Sequence, residues 1–340
     1  MLKKLKNKSD IIKLTQNENA YGASPTALKI IAENYINVYR YPDVLQHELK
    51  TKLADMYQVS TENIVIGAGS VALMDIAIKA LVGRDENVVT AEATFEGYKY
   101  MSRVNQRECR LSKLTNNTID LHKMLELSDQ HTKLVFIANP NNPTGTMNTH
   151  DELKEFLRAV SPETYVVLDE AYAEYVTDSD YPDSLALQRE YSNLIIFRTF
   201  SKIYGLAGLR IGYAVSSLEI SRLLQTHRTP FSINGLAAEA ASASLDDGAY
   251  IRKCSSVNSV ERTILYDKFI ELGYNAVEPK GNFIFIEFPS VEVKMKLHDY
   301  LLSHKILVRD VGPFGAELGL RISVGRPDEN RRLVYRLEKI

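Results

Sequence analysis

Short apolar runs alternate with helical patterns through the middle of this 340-residue chain, and this alternation restricts the fold more than any other feature. The runs are apolar at successive positions, so both faces of each strand would be buried. Helical patterns such as 71–81 and 151–160 separate them. The predicted strands are 63–66, 87–90, 133–138, 165–169, 193–197 and 211–215. The pattern predicts an α/β fold, a mostly parallel sheet between layers of helices, with ligands at the carboxyl ends of the strands.

The pattern changes from about residue 245 onward. There it predicts a polar helix near 251–272, an alternating strand at 282–288, a helix at 292–303, a strand at 320–324 and a terminal helix from Asp328. Helices and strands of this kind form an α+β unit. We therefore predict a large domain over 41–244 and a smaller α+β domain made of 1–40 and 245–340.

The composition argues against several classes of function. Lys and Arg number 41 and Asp and Glu 43, a net charge of −2, which gives no basic field for nucleic acid or an anionic membrane. No stretch has the apolar length of a membrane span, and the basic residues 1–8 lack the apolar run of a signal peptide. Two cysteines, Cys109 and Cys254, are too few for a disulfide framework, and the histidines show no metal-binding spacing. These features predict a cytoplasmic protein without a metal.

Lys202 indicates chemistry more directly than any other residue. It follows the predicted strand 193–197 and lies where that strand gives way to glycine-rich turns. A lysine at the edge of a core loses its proton more readily than one in water, and a neutral amine forms a Schiff base with an aldehyde. Ser201 and Arg210 carry the hydroxyl and guanidinium groups that hold a phosphate. An amine beside a phosphate clamp points to pyridoxal 5′-phosphate; the alternative is a lysine that extends to solvent.

Two further motifs lie at predicted strand ends. Gly67-Ala68-Gly69-Ser70 stands between a strand and a helix, where backbone N–H groups can bind a phosphate. The segment 139–145 contains two Asn-Pro steps, which impose a rigid, non-helical path and could direct the Asn142 amide into a site. The alternative for each motif is a turn without a chemical role.

Asp169 places a carboxylate at the end of the apolar run 165–169. A buried carboxylate is costly unless it is paired, and a pyridinium N–H would pair with it and remain protonated. The alternative is a helix N-cap. Tyr172 and Asn142 could donate to the phenolic oxygen of the cofactor. Phe95 could stack on the cofactor ring, or it could be an ordinary core aromatic.

In this order the motifs resemble those of class I/II, fold-type-I pyridoxal-phosphate aminotransferases, and within them the histidinol-phosphate aminotransferase family. The resemblance covers nearly the whole chain. Its motifs are Asn17-Glu18-Asn19, Tyr41-Pro42-Asp43, Asn142-Pro143-Thr144-Gly145, Asp169-Glu170-Ala171-Tyr172, Arg198-Thr199-Phe200-Ser201-Lys202, Gly281-Asn282-Phe283 and Leu320-Arg321-Ile322-Ser323-Val324-Gly325. It implies transfer of an amino group between L-histidinol phosphate and 2-oxoglutarate in histidine biosynthesis.

The resemblance also implies roles for individual residues. Lys202 is similar to the lysine that binds the cofactor and moves a proton, Asp169 to the partner of the ring nitrogen, and Asn142 and Tyr172 to donors to the phenolic oxygen. Tyr41 matches a tyrosine that reaches the cofactor phosphate of a neighbouring subunit, which implies a homodimer with shared sites. The other implied positions are Ala68, Gly69, Ser70, Thr199, Ser201 and Arg210 for the phosphate, Phe95 for the ring face, and Tyr21, Arg309, Arg321 and Asn142 for the substrate.

Two departures from the family pattern leave the substrate open. Val71-Ala72 replaces a usual acidic pair, and Ala93 stands where proline is expected. The first departure is similar to a variant in family members that accept aromatic amino acids, so an aromatic amino acid aminotransferase is one alternative. Threonine-phosphate decarboxylases, with closely similar motifs, are another. A transcription regulator with an aminotransferase-like domain would need a DNA-binding module ahead of Asn17, where the chain is short.

Overall fold

The structure is a computed structural model that describes residues 11–340, so the basic residues 1–8 lie outside it. Its strands are β1 (Ile12–Leu14), β2 (Ile64–Gly67), β3 (Asn87–Ala91), β4 (Glu108–Ser112), β5 (Leu114–Thr115), β6 (Thr118–Ile119), β7 (Thr132–Ala138), β8 (Tyr165–Asp169), β9 (Leu194–Thr199), β10 (Gly212–Val215), β11 (Asn275–Val277), β12 (Phe283–Glu287), β13 (Ile306–Asp310) and β14 (Gly319–Ser323). Its α-helices are α1 (Pro25–Asn34), α2 (His47–Tyr57), α3 (Ser70–Leu81), α4 (Gly97–Val104), α5 (Leu121–Leu127), α6 (His150–Ala159), α7 (Ser184–Glu190), α8 (Leu218–Thr226), α9 (Gly235–Asp246), α10 (Gly248–Glu271), α11 (Val291–Ser303) and α12 (Pro327–Leu337).

The larger sheet has seven strands in the order β2-β10-β9-β8-β7-β3-β4. All neighbours are parallel except β10, which is antiparallel to both β2 and β9. The predicted mostly parallel sheet is therefore confirmed. β4 was not predicted, because this edge strand is largely exposed and lacks the apolar run of the inner strands.

Helices cover both faces of this sheet. Along β7, Phe136 packs into one apolar cluster with residues of α3. Its neighbours Val135 and Ile137 pack into a second cluster with Leu153 and Phe156 of α6. This alternation is the period of two expected for a strand. Both faces are apolar, which accounts for the continuous runs in the sequence.

The smaller sheet has five strands in the order β1-β13-β14-β12-β11. Only β1 and β13 pair in parallel. Its core is closed by apolar side chains of α10, α11 and α12, among them Phe269, Leu301 and Leu333. The strands of each sheet all come from one of the two predicted domains, but α1 packs against α9 of the larger one. The domain boundaries stay a prediction.

The start of α6 is explained by the residues at its N-terminus. Thr149 caps α6, and Glu152 bonds back to the Thr149 backbone N–H to complete a capping box.

α3 is buried on several sides, which fits its nearly continuous apolar sequence. Within residues 11–340, no helix combines the length and the apolar character needed to cross a membrane.

Candidate active site

A cavity of about 460 Å³ lies at the carboxyl ends of β7, β8 and β9, where the two sheets approach each other. Most of the sequence-predicted site residues line it. They are Ser70, Phe95, Asn142, Asp169, Tyr172, Thr199, Ser201, Lys202, Arg210, Arg309 and Arg321. The structure therefore gathers residues from distant parts of the chain into a single site, at the edge of the sheet expected from its topology.

Lys202 lies in the turn that follows β9 and projects into this cavity. Its Nζ donates to the backbone oxygen of Gln16 over 2.9 Å and lies 5.5 Å from the centre of the Tyr172 ring. The side chain is neither fully exposed nor paired with a carboxylate within residues 11–340. A lysine in this setting can act as a nucleophile without first breaking an ion pair.

Asp169 ends β8 with its side chain buried beside the cavity. Its Oδ2 accepts a hydrogen bond from the Tyr98 hydroxyl over 2.7 Å, whereas its Oδ1 has no partner among residues 11–340. Burial raises the pKa of this carboxyl group to about 6, and the hydrogen bond from Tyr98 opposes that rise. Asp169 thus has one anchored oxygen and one buried acceptor left for a ligand.

Gly69, Ser201 and Arg210 form a cradle where α3 begins. Gly69 has φ +84°, and a Cβ there would overlap the Arg210 guanidinium group. Arg210 Nη1 donates to Ser201 Oγ over 3.3 Å, and the Ser201 backbone N–H donates to Thr199 Oγ1 over 3.1 Å. The first N–H groups of α3, a guanidinium group and hydroxyls are the donors that hold a phosphate. Ala68 precedes this cradle and does not line the cavity.

Arg321 and Arg309 form the cationic side of the cavity. They are directly opposed on β14 and β13. Arg321 Nη1 donates to Asn142 Oδ1 and its Nη2 to the backbone oxygen of Thr15, while its Nε is buried without a partner in the described chain. Burial, with some repulsion from Arg309, lowers the pKa of Arg321 to about 10, so the group remains cationic at neutral pH. Because Asn142 Oδ1 is occupied, its amide N–H groups remain available as donors.

Phe95 and Tyr98 belong to an aromatic group beside Asp169. The two rings meet edge to face with centres 5.7 Å apart, and Tyr98 stacks on Phe136 at 4.7 Å. Phe95 lines the cavity and is only partly buried, so one side of its ring is accessible to a ligand. Tyr98 is fully buried.

No site role was predicted for Tyr98, Phe314 and Val71, which line the cavity, or for Asn17, which bonds to Tyr172. Tyr98 lies three residues after Phe95, close to one helical turn, and this spacing could have identified it. Phe314 ends a short 3-10 helix, Gly312–Phe314, with its ring 5.1 Å from the Arg309 guanidinium carbon and 5.8 Å from that of Arg321. No sequence signal marks Phe314 as part of the site. Val71 also lines the cavity.

Besides Ala68 and Gly69 beside the cradle, two predicted residues, Tyr21 and Tyr41, do not line the cavity. Tyr21 lies within the turn at 19–22, beside Cys254 and Glu261, and its backbone oxygen accepts from Tyr250. The single chain gives no support for its predicted contact with substrate. Tyr41 is 85% exposed, beside Phe231 at 5.0 Å between ring centres, as a residue that serves another subunit could be.

Solved structures of aminotransferases share this fold. The structure of histidinol-phosphate aminotransferase from Sinorhizobium meliloti in complex with pyridoxal-5′-phosphate matches with a TM-score of 0.90, 27% identity, and coverage of 97% of this chain and 90% of that one. A mutant aspartate aminotransferase of Thermus thermophilus matches with a TM-score of 0.85 at 19% identity, covering 96% of both chains, which bears on the fold alone. The protein therefore has the fold of the fold-type-I pyridoxal-phosphate enzymes, as predicted.

The sequence specifies the family within that class. Residues 9–337 match the family described as aminotransferase class I and II, and the chain belongs to it. Histidinol-phosphate aminotransferase 2 of Pseudomonas aeruginosa is 40% identical over 97% of this chain and 89% of that protein. Histidinol-phosphate aminotransferase of Geobacillus thermodenitrificans is 39% identical over 96% of this chain and 88% of that protein. The predicted family is thus confirmed.

Proposed function

We propose that the protein is a pyridoxal-phosphate-dependent transaminase that moves an amino group between L-histidinol phosphate and 2-oxoglutarate in histidine biosynthesis. The observation that carries this proposal is the 38–40% identity, over nearly the full chain, to relatives named histidinol-phosphate aminotransferase. The two arginines of the cavity support it, because one substrate carries a phosphate and the other a distal carboxylate. A guanidinium group can pair with either anion. The two free cysteines, Cys109 and Cys254, fit a cytoplasmic location.

The cavity suits pyridoxal phosphate on two independent features. Asp169 Oδ1 is a buried acceptor without a partner in the described chain, as a site for a ring N–H requires. The absence of a side chain at Gly69 lets the Arg210 guanidinium group lie against the backbone where α3 begins, so that cationic and N–H donors come together, as a phosphate site requires. When bound, the cofactor supplies an aldehyde for amino-group exchange and a ring that withdraws electrons from the substrate Cα.

We assign Lys202 as the amine that binds the cofactor and then removes the proton from the substrate Cα. The Asp169 carboxylate would bind the ring nitrogen and keep it protonated. Asn142 and Tyr172 would donate to the phenolic oxygen, and Phe95 would lie against the ring. The phosphate is assigned to Gly69, Ser70, Thr199, Ser201 and Arg210, with Ala68 preceding them, and the substrate anions to Arg321 and Arg309.

We further propose a homodimer in which Tyr41 completes the neighbouring site. Tyr41 lies within an exposed aromatic and aliphatic surface that includes Tyr35, Ile36, Tyr39 and Phe231. Mixing Lys202→Ala and Tyr41→Phe chains tests this arrangement. If Tyr41 acts in the partner's site, each hybrid dimer contains one site with both residues intact, and the mixture exceeds the average of the activities of the two variants. Activity equal to the average of the two variants would contradict it.

Parallel single-turnover titrations test the substrate. L-Histidinol phosphate, phenylalanine, tyrosine and threonine phosphate are added separately, and conversion of the bound cofactor to its amine form is followed by absorbance. The proposal expects the highest ratio of rate to half-saturating concentration for histidinol phosphate. Phenylalanine or tyrosine in first place would favour the aromatic amino acid aminotransferase, for which Val71 and Phe314 in the cavity are the structural argument. Release of CO₂ from threonine phosphate would favour the decarboxylase.

A further inference from the structure

The segment 15–17 contacts three of the assigned site residues. The backbone oxygen of Thr15 accepts from Arg321 over 2.7 Å, and that of Gln16 accepts from Lys202 over 2.9 Å. The Asn17 side chain differs from these two because it donates: its Nδ2 bonds to the Tyr172 hydroxyl oxygen over 3.0 Å. Because the Tyr172 oxygen accepts this bond, the Tyr172 hydroxyl proton is left for another acceptor.

Both the backbone and the side chain of Asn17 are hydrogen-bonded to other segments of the chain. It is fully buried and has φ +54°, a left-handed conformation that asparagine tolerates better than most residues. Its backbone N–H donates to Ser323 Oγ over 2.8 Å, and its backbone oxygen accepts from Asn282 over 3.1 Å. Ser323 Oγ in turn donates to Asn17 Oδ1 over 2.8 Å.

These contacts fix which end of the Asn17 amide faces Tyr172. Ser323 has a single hydroxyl proton, and within residues 11–340 its acceptor is Asn17 Oδ1. The amide oxygen is therefore directed at Ser323, and the NH₂ group must face Tyr172. Reversing the amide would place its NH₂ group against the Ser323 hydroxyl oxygen, which already accepts the Asn17 backbone N–H, and would remove the acceptor of the Ser323 proton.

The direction of the Tyr172 hydroxyl follows. Its oxygen accepts the Asn17 N–H, so its own proton cannot be donated to Asn17. That proton has no other acceptor in the described part of the chain, and Tyr172 lines the cavity. We propose that Asn17 is a positioning residue, which keeps Tyr172 oriented as a hydrogen-bond donor into the cavity. This inference rests on the proposed role of Tyr172 as donor to the cofactor's phenolic oxygen.

Asn17→Asp tests the inference because it reverses one hydrogen bond at nearly constant shape. A carboxylate can still accept from Ser323, but it can only accept from Tyr172, and so draws the hydroxyl proton away from the cavity. A donor to the phenolic oxygen stabilises that oxygen's negative charge and lowers the pH at which the visible band of the bound cofactor titrates. Asn17→Asp should therefore raise that midpoint by about one pH unit. Cofactor affinity, measured by equilibrium dialysis, should fall in the same variant.

Tyr172→Phe makes the interpretation specific. It should raise the same midpoint, and Asn17→Asp should add little in the Tyr172→Phe background, because the group through which it acts is gone. Additive shifts, or an unchanged midpoint in Asn17→Asp alone, would overturn the positioning role. An unchanged midpoint in Tyr172→Phe would instead refute the proposed role of Tyr172, so the two failures are distinguishable.

Two further variants distinguish a specific effect on Tyr172 from a general effect on folding. Asn87→Asp is the matched control: Asn87 is also buried, and its Oδ1 also accepts from a hydroxyl, that of Thr132, but it lies at the amino end of β3 away from the cavity. Asn87→Asp should lower the stability of the fold and leave the pH midpoint of the visible cofactor band unchanged. A shift of that midpoint in Asn87→Asp would contradict the specificity of the test. If Asn17→Asp does not fold, Ser323→Ala removes the proton that orients the amide. It should raise the midpoint by a smaller amount, and no shift would count against the proposal.

Discussion

Replacing Tyr98 with phenylalanine tests how the protein controls the charge of Asp169. The Tyr98 hydroxyl donates to Asp169 Oδ2 over 2.7 Å, and both side chains are buried. A hydrogen bond to a charged group contributes about 1.5–3 kcal/mol, and one pKa unit corresponds to about 1.4 kcal/mol. The pKa of Asp169, which burial raises to about 6, should therefore increase further to about 7–8 in the variant.

The sign of the pH dependence follows from proton binding. An unfolded aspartate has a pKa of about 3.9, so between that pH and about 6 the folded protein without cofactor holds a proton that the unfolded chain has released. The free energy of unfolding consequently falls as the pH rises through this window. In Tyr98→Phe the window extends to about pH 7–8. Between about pH 5 and about pH 8.5 the variant should thus lose about 1.5–3 kcal/mol more stability than the wild type.

Urea unfolding of the cofactor-free protein across this pH range measures the difference. Phenylalanine keeps the ring that stacks on Phe136, so the loss of packing is small and independent of pH. Tyr100→Phe is the control, because Tyr100 lies on the same helix, is 47% exposed and is not near Asp169. A difference between Tyr98→Phe and wild type that stays constant from about pH 5 to about pH 8.5 would refute the reasoning, since Tyr98 would then contribute packing alone.

Three further substitutions test the assigned roles. Asp169→Asn should retain much of the cofactor while single-turnover transamination falls by orders of magnitude, because the ring becomes a poorer electron acceptor; near-normal turnover would contradict this. Gly69→Ala should weaken pyridoxal phosphate binding by about tenfold or more in equilibrium dialysis, through backbone strain and overlap with Arg210. Gly273→Ala, also at positive φ but with open space around it, is its control and should bind normally. Arg321→Lys should raise KM for histidinol phosphate and glutamate together, since lysine lacks the planar fork; an effect on one substrate only would argue against a shared anion site.

The part of the site that sequence reasoning could locate lies at strand ends. Asp169 is the last residue of an inner strand of the larger sheet, and Asn142 and Lys202 each follow such a strand within a few residues. Those strands, β7, β8 and β9, are adjacent and parallel. The carboxyl ends of parallel neighbours meet at one edge, so the order of motifs along the chain is enough to bring these side chains together. The predicted strands and helices of this region are accordingly confirmed, with shifts of a residue or two at their ends.

The contacts that sequence reasoning could not locate join segments far apart in the chain. Asn17 bonds to Ser323 across 306 positions. Residues 1–40 were predicted to belong to the smaller domain, but it was not predicted that β1 forms a strand there and pairs with β13. Phe314 enters the cavity on a segment without periodicity, which is held by the buried Lys294 through Asp310. Tyr21 shows the reverse case: it lies in a local turn and does not line the cavity of the single chain, so its contact with substrate stays a prediction. Local pattern carries no information about such contacts, because they depend on how the two sheets are placed relative to each other.

Asp169 combines three features that point to a ligand: its carboxylate is buried, it lines the cavity, and one of its oxygens has no partner in the described chain. Its pKa is raised from 3.8 to about 6, which costs the cofactor-free fold about 3 kcal/mol at neutral pH. That is a large fraction of the net stability of a typical domain. Among the described residues nothing bonds to Oδ1, so folding alone does not offset this cost. A cationic ring N–H would bond to that oxygen and favour the charged form, which turns the unfavourable burial into selective binding of a protonated heterocycle.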